Sequence, residues 1–336
     1  MKNKLSITLL IALVTLLTTV TGMAQDKTKY LVFYRGFDGT AAVGYIDQTG
    51  QFNQTQSLIG SFNSGWTHIV GTQNNYLLFY RASDGLGAIG FIDRDGHYQQ
   101  TQSLVGRLST NWTRIVSTGD YLLFYRGTGL VTIGYIDRAG QYQQTQSLSG
   151  AITNWSQIVG TDNGLFFYRT DGTGSVGHID EHGIFVGTEL STGLNTGLTH
   201  IVRTGDQLIL YRASDGLTTV GRITRDGHFQ HTRTLSGINA NWAKIVSVGD
   251  NILFYRFADG VTAVGYIDRD GFYHQTQSPG FNAGWSQIVS VGDYLFIYNA
   301  NGFGGVGYID RNGLFQQTQS LPSLTSGWSH IIPMLG

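Results

Sequence analysis

The sequence predicts an all-β fold: a seven-bladed β-propeller of four-stranded antiparallel blades, with its ring closed by the C-terminal strand. Three observations predict it. First, a Leu-Phe-Tyr-Arg motif, followed by Gly-Tyr-Ile-Asp and then by a Trp and Ile-Val, runs through the 336 residues seven times. Its central residues Arg35, Arg81, Arg126, Arg169, Arg212, Arg256 and, in the seventh copy, Asn299 recur every 43 to 46 residues. A period in the low forties built from short strands and turns is that of a propeller blade. Second, each copy holds four strand-like runs separated by turn residues. Third, the copies begin and end out of phase with the blades, in a way that lets the two chain ends complete one blade.

The second copy shows the elements in order. Residues 76–81 are apolar and aromatic with high β-propensity, and Ser83-Asp84-Gly85 turns them back. Residues 88–93 form the next strand, and Asp93-Arg94-Asp95-Gly96 makes a second tight turn. Residues 97–104 alternate polar side chains through Gln100-Thr101-Gln102, as a half-solvated outer strand does. A Gly/Asn/Ser linker then leads to Trp112, and residues 112–116 form the last short strand before Gly119-Asp120. Proline, which sheet interiors exclude, occurs three times in the chain, at Pro279, Pro322 and Pro333.

The first copy opens at Tyr30 with no Trp strand before it, and the chain ends on residues 328–332 with no Tyr-Arg strand after them. Pairing that terminal run beside residues 31–35 closes the ring and tethers the termini. With the Trp strand innermost, a blade runs Trp strand, Tyr-Arg strand, Gly-Tyr-Ile-Asp strand, Gln-Thr-Gln strand. Alternate connections of an antiparallel meander share a face, so Trp, Arg and the Asp of the following turn converge on one side. The Gly-Asp and Asp-x-x-Gly turns lie on the other.

Lys2 and Lys4 precede an apolar run over 5–20 that ends in Gly22-Met23-Ala24, which predicts a signal peptide over 1–24 and a single propeller domain over 25–336. The run is short and broken by Thr15, Thr18 and Thr19, so removal is expected in place of membrane anchoring, giving a secreted or periplasmic protein with no membrane insertion after cleavage. The chain has no cysteine, hence no disulfide and no acceptor for an N-terminal lipid. Loss of Lys2 and Lys4 leaves 19 basic against 22 acidic side chains, a net charge of −3, and no basic patch indicates nucleic acid. Only 13% of residues are charged, so the surface is mostly neutral and polar, which suits a neutral polyhydroxylated ligand.

Pairing each Trp with the Arg of the blade it opens gives four complete sets: Trp328 with Arg35 and Asp38, Trp66 with Arg81 and Asp84, Trp155 with Arg169 and Asp171, and Trp242 with Arg256 and Asp259. Trp112 and Arg126 lack the Asp, Arg212 and Asp215 face Leu198, and Trp285 faces Asn299 and Asn301. As ligand-binding sites, each set offers an indole face to the apolar side of a pyranose and a guanidinium and carboxylate to its hydroxyls. The competing account has Trp filling the gap between adjacent blades while Arg and Asp form an ion pair across their own hairpin.

The Asp-x-x-Gly turns at Asp47, Asp93, Asp137, Asp180, Asp268 and Asp310 are too poor in carboxylates for calcium and read as Asp capping its own turn; no metal or cofactor is expected. Gly44, Gly90, Gly134, Gly177, Gly221, Gly265 and Gly307 hold one strand-interior position in all copies, which implies close approach of an aromatic ring from a neighbouring strand or blade. Catalysis finds little support. The chain has two glutamates, Glu181 and Glu189, both in the fourth copy, and no nucleophile elbow. His68, His200 and His330 share one position after the Trp slot and read as polar strand residues in place of a metal centre. Propeller enzymes gather unlike residues from different blades, whereas the variation here reads as drift among equivalent copies.

The chain resembles secreted bacterial β-propellers built from near-identical blades and, more loosely, propeller lectins of the tachylectin-2 kind. The residues that carry this are the Gly65-Trp66 and Asn111-Trp112 entries and the Phe-Tyr strand with its following Gly turn. The resemblance implies several equivalent sugar sites, although the blade count differs from that family and no sugar-contacting residue carries over. The expected function is therefore multivalent, lectin-like binding of glycans or a glycan-coated surface by a protein that is not an enzyme. The alternative is a non-catalytic protein-interaction or adhesion scaffold. An enzyme requires a blade with polar residues of its own, and the fourth copy, with Glu181, His182, Glu189 and Leu198, is the outlier.

Overall fold

A computed structural model describes residues 29–334 except 151–152, 162–163 and 192; the expected leader over 1–24 lies outside the described residues. Among the described residues the chain forms 28 strands in seven four-stranded antiparallel sheets, arranged as a propeller. Blade two is typical: from the axis outward it runs His68–Gly71, Tyr76–Tyr80, Gly87–Ile92 and Tyr98–Ser103. Blade one is completed from both ends of the chain, with His330–Pro333 paired beside Lys29–Tyr34 and Tyr34 opposite His330. Ring closure thus converts two open sheet edges into one paired ladder.

Apolar second and third strands make the core. Each blade packs its Leu, Phe and Val side chains against the next, so buried clusters sit between blades, such as Phe33 with Phe296 and Trp328. The seven motif tyrosines, Tyr34, Tyr80, Tyr125, Tyr168, Tyr211, Tyr255 and Tyr298, are fully buried and pin each blade to its successor. The Tyr80 hydroxyl donates to the Ser109 carbonyl at 2.8 Å and accepts the Trp112 backbone N–H at 3.1 Å. Tyr34 does the same with Asn63 and Trp66, and Tyr298 with Thr325 and Trp328 across the closure. A buried hydroxyl between a buried backbone N–H and a part-buried carbonyl satisfies all three at once.

The outer Gln-Thr-Gln strand clasps the next blade. Thr55 Oγ1 donates to the Gly96 carbonyl at 2.7 Å, and the Gln56 Oε1 accepts from Tyr98 N at 2.8 Å. Thr318 and Gln319 close the same circuit onto Gly50 and Phe52. Glu189 occupies the Gln position of this clasp and accepts from Phe229 N at 2.6 Å, which accounts for one of the two glutamates structurally.

The strand-interior glycines sit where the third and fourth strands shift register, and an aromatic ring lies over each. A Cβ on Gly90 would fall 2.4 Å from the Tyr98 ring, and one on Gly134 would fall 2.5 Å from both the Tyr142 ring and the Gln143 carbonyl. Each Asp-x-x-Gly turn is capped by its own carboxylate: Asp47 Oδ1 accepts from Thr49 N and Gln51 N, both at 2.9 Å. Those amide donors hold the Asp47 carboxyl below its ordinary value.

Candidate functional site

The four Trp/Arg/Asp sets assemble in space as paired from the sequence, but three of them are closed on themselves by an arginine–carboxylate fork. Arg81 Nε lies 3.0 Å and Nη2 2.6 Å from the two Asp84 oxygens, while Nη1 donates to the Ser64 carbonyl at 2.8 Å. Arg35 with Asp38 and Arg256 with Asp259 form the same fork. The guanidinium holds the partner carboxyl well down, to about 2 at Asp84. The tryptophans fill the gaps between blades: Trp66, Trp155, Trp242 and Trp328 are 2 to 7% exposed, and Arg carbons lie 4.7 to 6.0 Å from their ring centroids. No indole face of these sets is open for a sugar to stack on. Arg169 departs from the pattern, because Asp171 caps the Thr173 amide at 2.9 Å in place of forking onto the guanidinium.

His68, His200 and His330 are likewise structural. They belong to a ring of long polar side chains that open the inner strands, and in six of the seven blades this side chain reaches the backbone of the next blade. Arg114 Nη2 donates to Ser156 O at 2.9 Å, Gln157 Nε2 to Leu198 O at 3.2 Å and Gln287 Nε2 to Ser329 O at 3.2 Å. His200 Nε2 lies 3.3 Å from Ala243 O. Burial holds all three imidazoles below their ordinary value, favouring the neutral form.

The unlike residues gather on the opposite face, that of the Gly-Asp turns. There a central basin of about 840 Å³ is lined by Lys29, Gln73, Ser117, Arg203, Ser290 and Asp293, contributed by different blades. Lys29 Nζ lies 3.2 Å from Asp293 and 4.5 Å from the Tyr294 ring centre, and Arg203 Nε donates to Gly205 O at 2.9 Å. The basin shares Gln73, Thr118, Gly119 and Thr161 with a second cavity of about 670 Å³ over blade four, lined further by Asp120, Tyr121, His178, Arg225 and Asp226.

The second cavity has an identifiable cause. On this face the residue that opens a second strand ties its blade to the next: Tyr30 OH donates to Arg94 O, Tyr76 OH to Arg138 O, Tyr121 OH to Glu181 O and Tyr294 OH to Gln48 O, at 2.9 to 3.3 Å. Blade five makes the same tie with Gln207 Nε2 to Asp268 O. Blade four has Gly164 there, at φ +147°, where a Cβ would lie 2.4 Å from the Gly177 carbonyl. With no side chain to reach it, the Thr224-Arg225 turn is left lining a groove. Across the ladder, the third-strand position held by Tyr45, Phe91, Tyr135, Tyr266 and Tyr308, and by Arg222 in blade five, is His178 in blade four. Both columns depart from the consensus together in blade five, as Gln207 and Arg222, and in blade four, as Gly164 and His178, and in blade four a cavity lies over the pair. The sequence carried this signal in two columns, Tyr to Gly164 and aromatic to His178, beside the more conspicuous Glu181 and Glu189. Glu181 is solvent-exposed at the outer turn, 3.7 Å from His182.

No protein-family model matches the chain. No curated protein matches it in sequence. Solved structures share the fold across nearly the whole length. A Bacteroides fragilis protein provisionally assigned as a 6-phosphogluconolactonase superposes with a TM-score of 0.69 at 10% identity, over 93% of this chain and 99% of its own. The periplasmic gluconolactonase of Pseudomonas aeruginosa gives 0.63 at 15% identity, over 91% and 99%. A Lactobacillus plantarum protein gives 0.68 at 14% identity, over 91% and 99%. Similarity at this identity establishes the seven-bladed propeller. It also corrects two expectations, the lectin-like function and the absence of enzymatic activity: the propellers that match end to end include a periplasmic gluconolactonase and a protein provisionally assigned as a 6-phosphogluconolactonase, and the sets on which the lectin reading rested have buried indoles.

Proposed function

We propose that the protein hydrolyses a sugar lactone in the groove over blade four, on the Gly-Asp turn face of the propeller. The observation that carries this is the groove itself, opened at Gly164 and lined by His178, Asp120, Arg225 and Asp226, where five of the other six blades carry a side-chain tie to their neighbour. Support for the reaction class comes from the lactonases among the structures that share the fold over nine-tenths of both chains. Lactone opening needs a base for the attacking water and positive charge for the carbonyl oxygen as it becomes an oxyanion. Imidazole is the side chain suited to the first task near neutral pH, and His178 takes it. Arg225 supplies the charge, and Lys29 and Arg203 in the adjoining basin favour the carboxylate that ring opening creates. The leader expected at the N-terminus places this activity in the periplasm or outside the cell.

The test is acid release from glucono-1,5-lactone in a pH-stat, corrected for spontaneous hydrolysis. The wild type accelerates it, and His178→Phe, which restores the aromatic of five of the other six blades, lowers kcat by roughly 100-fold or more, the usual contribution of a positioned base. A wild-type rate equal to that of buffer overturns the proposal, and an unimpaired H178F variant removes His178 from it.

A further inference from the structure

We infer that blades three and four each carry, on the Trp face, an arginine fork built for a carboxylate that the chain itself does not supply. The repeats provide the comparison. In blades one, two, five and six the hairpin after the arginine closes with an N–H to C=O bond spanning four residues, as from Gly39 N to Arg35 O. The Asp three positions after the arginine then forks onto Nε and Nη2, at 3.0 and 2.7 Å in Arg212 and Asp215. In blades three, four and seven the hairpin is one residue shorter: Gly129 N bonds Arg126 O, Gly172 N bonds Arg169 O and Gly302 N bonds Asn299 O. Shortening removes the forking position. In blade seven the arginine is gone as well, and Asn299 satisfies itself locally, donating to Gly284 O at 2.8 Å and accepting from Asn301 N at 2.9 Å. Blades three and four keep the arginine. Their Nε atoms are buried without a hydrogen-bond partner, although Arg126 Nη2 reaches the Thr110 carbonyl.

A buried, unpartnered donor on a charged group is uncommon and needs a reason. Part of the reason is the indole beneath. The guanidinium carbon lies 5.2 Å from the Trp112 ring centre and 4.7 Å from that of Trp155, against 5.8 to 6.0 Å in the forked blades. Without a forking carboxylate, even with Asp171 near Arg169, the guanidinium settles onto the ring, and a carboxylate arriving from outside draws it back to the distance that Asp38, Asp84 and Asp259 maintain. The chemistry recognised is a single planar carboxylate taken side-on by Nε and Nη2, as four blades of the same chain display. These sites lie on the face opposite the proposed catalytic groove and stand independently of it.

The experiment is a titration of the ¹⁵N-labelled mature protein with sodium acetate at constant ionic strength, balanced with chloride and followed at the arginine Nε–H resonances. The expected result is a saturable shift confined to Arg126 and Arg169, with Arg35, Arg81, Arg212 and Arg256 unmoved because their forks are filled. Gluconate in a parallel arm tells whether the carboxylate alone or a sugar acid is preferred: equal midpoints mean the carboxylate alone. Grafting turn 82–85 of blade two in place of 127–129 restores the internal Asp and abolishes the Arg126 shift while leaving that of Arg169. Shifts at all six arginines, shifts reproduced by chloride, or none at Arg126 and Arg169 overturn the inference and leave indole stacking as the sole role of these side chains.

Discussion

Replacing one motif tyrosine by phenylalanine isolates the inter-blade pin from all other packing. Tyr80→Phe keeps the fully buried ring and removes only the hydroxyl that donates to Ser109 O at 2.8 Å and accepts from Trp112 N at 3.1 Å. Two hydrogen bonds of about 1 kcal/mol each are lost, and two backbone groups are left unpaired, each at a cost of about 1 kcal/mol or somewhat more. The sum is about 2–4 kcal/mol. For a domain of this size about 1 kcal/mol moves the midpoint by roughly 2 °C, so the variant melts roughly 4–8 °C below wild type. Tyr76→Phe is the control. Its hydroxyl donates to Arg138 O at 3.1 Å on the solvent-exposed face, where water replaces it, and the expected loss is about 0.5 kcal/mol, within roughly 1 °C of wild type. Thermal unfolding of both variants by circular dichroism makes the comparison. A Y80F midpoint within 1 °C of wild type refutes the pin as a source of stability, and equal losses in the two variants refute the argument from burial.

Gly134→Ala places a Cβ 2.5 Å from the Gln143 carbonyl as well as the Tyr142 ring, and backbone cannot yield as a side-chain end can, so a loss of about 3 kcal/mol or more is expected in chemical denaturation. Burial lowers His68, His200 and His330 from the ordinary value of 6.5, so the folded state binds fewer protons than the unfolded chain. Their contribution is complete above pH 6.5 and is lost as pH falls below it toward the folded values. H68Q/H200Q/H330Q, which adopts the residue already present at Gln157 and Gln287, is expected to lose less thermal stability than wild type between pH 7.5 and 5.5; identical losses rule this linkage out.

The architecture was legible because a propeller states its fold seven times. Phase, strand order and the terminal pairing of His330–Pro333 with Lys29–Tyr34 all follow from where the copies start and stop. The glycine column was legible for a similar reason, since only a close contact such as that of Tyr98 over Gly90 justifies seven glycines inside strands. What the sequence did not settle was the meaning of the polar consensus. Trp, Arg and Asp recurring together serve a sugar site and a blade seam equally well on paper, and burial decides between those uses. Trp66 is 4% exposed and Arg81 is saturated by Asp84 and Ser64, facts that depend on inter-blade distances no single repeat encodes. The Gln-Thr-Gln strand was read only as solvated, because its partners Gly96 and Tyr98 lie one blade away.

The seven copies also act as internal controls, and they separate two kinds of departure from the consensus. Some are compensated. Leu198 replaces a tryptophan yet stays 4% exposed and keeps the bond from its N–H to Tyr168 OH at 3.0 Å. Glu189 replaces glutamine and makes the same bond to Phe229 N, and Asn299 replaces arginine where the hairpin is too short to supply a carboxylate. Drift under a packing constraint has this character, because a change that leaves a buried donor or a gap is costly unless a neighbour answers it. The others are uncompensated. Gly164 gives up the tie to the next blade beside a cavity with a histidine in it, and Arg126 and Arg169 keep a charge after its carboxylate fork has gone. A repeat protein that keeps such costs in blades three and four, while answering the changes at Leu198, Glu189 and Asn299, has retained them for something outside its own packing. That physical asymmetry, more than any single motif, directs attention to blades three and four on both faces of the ring.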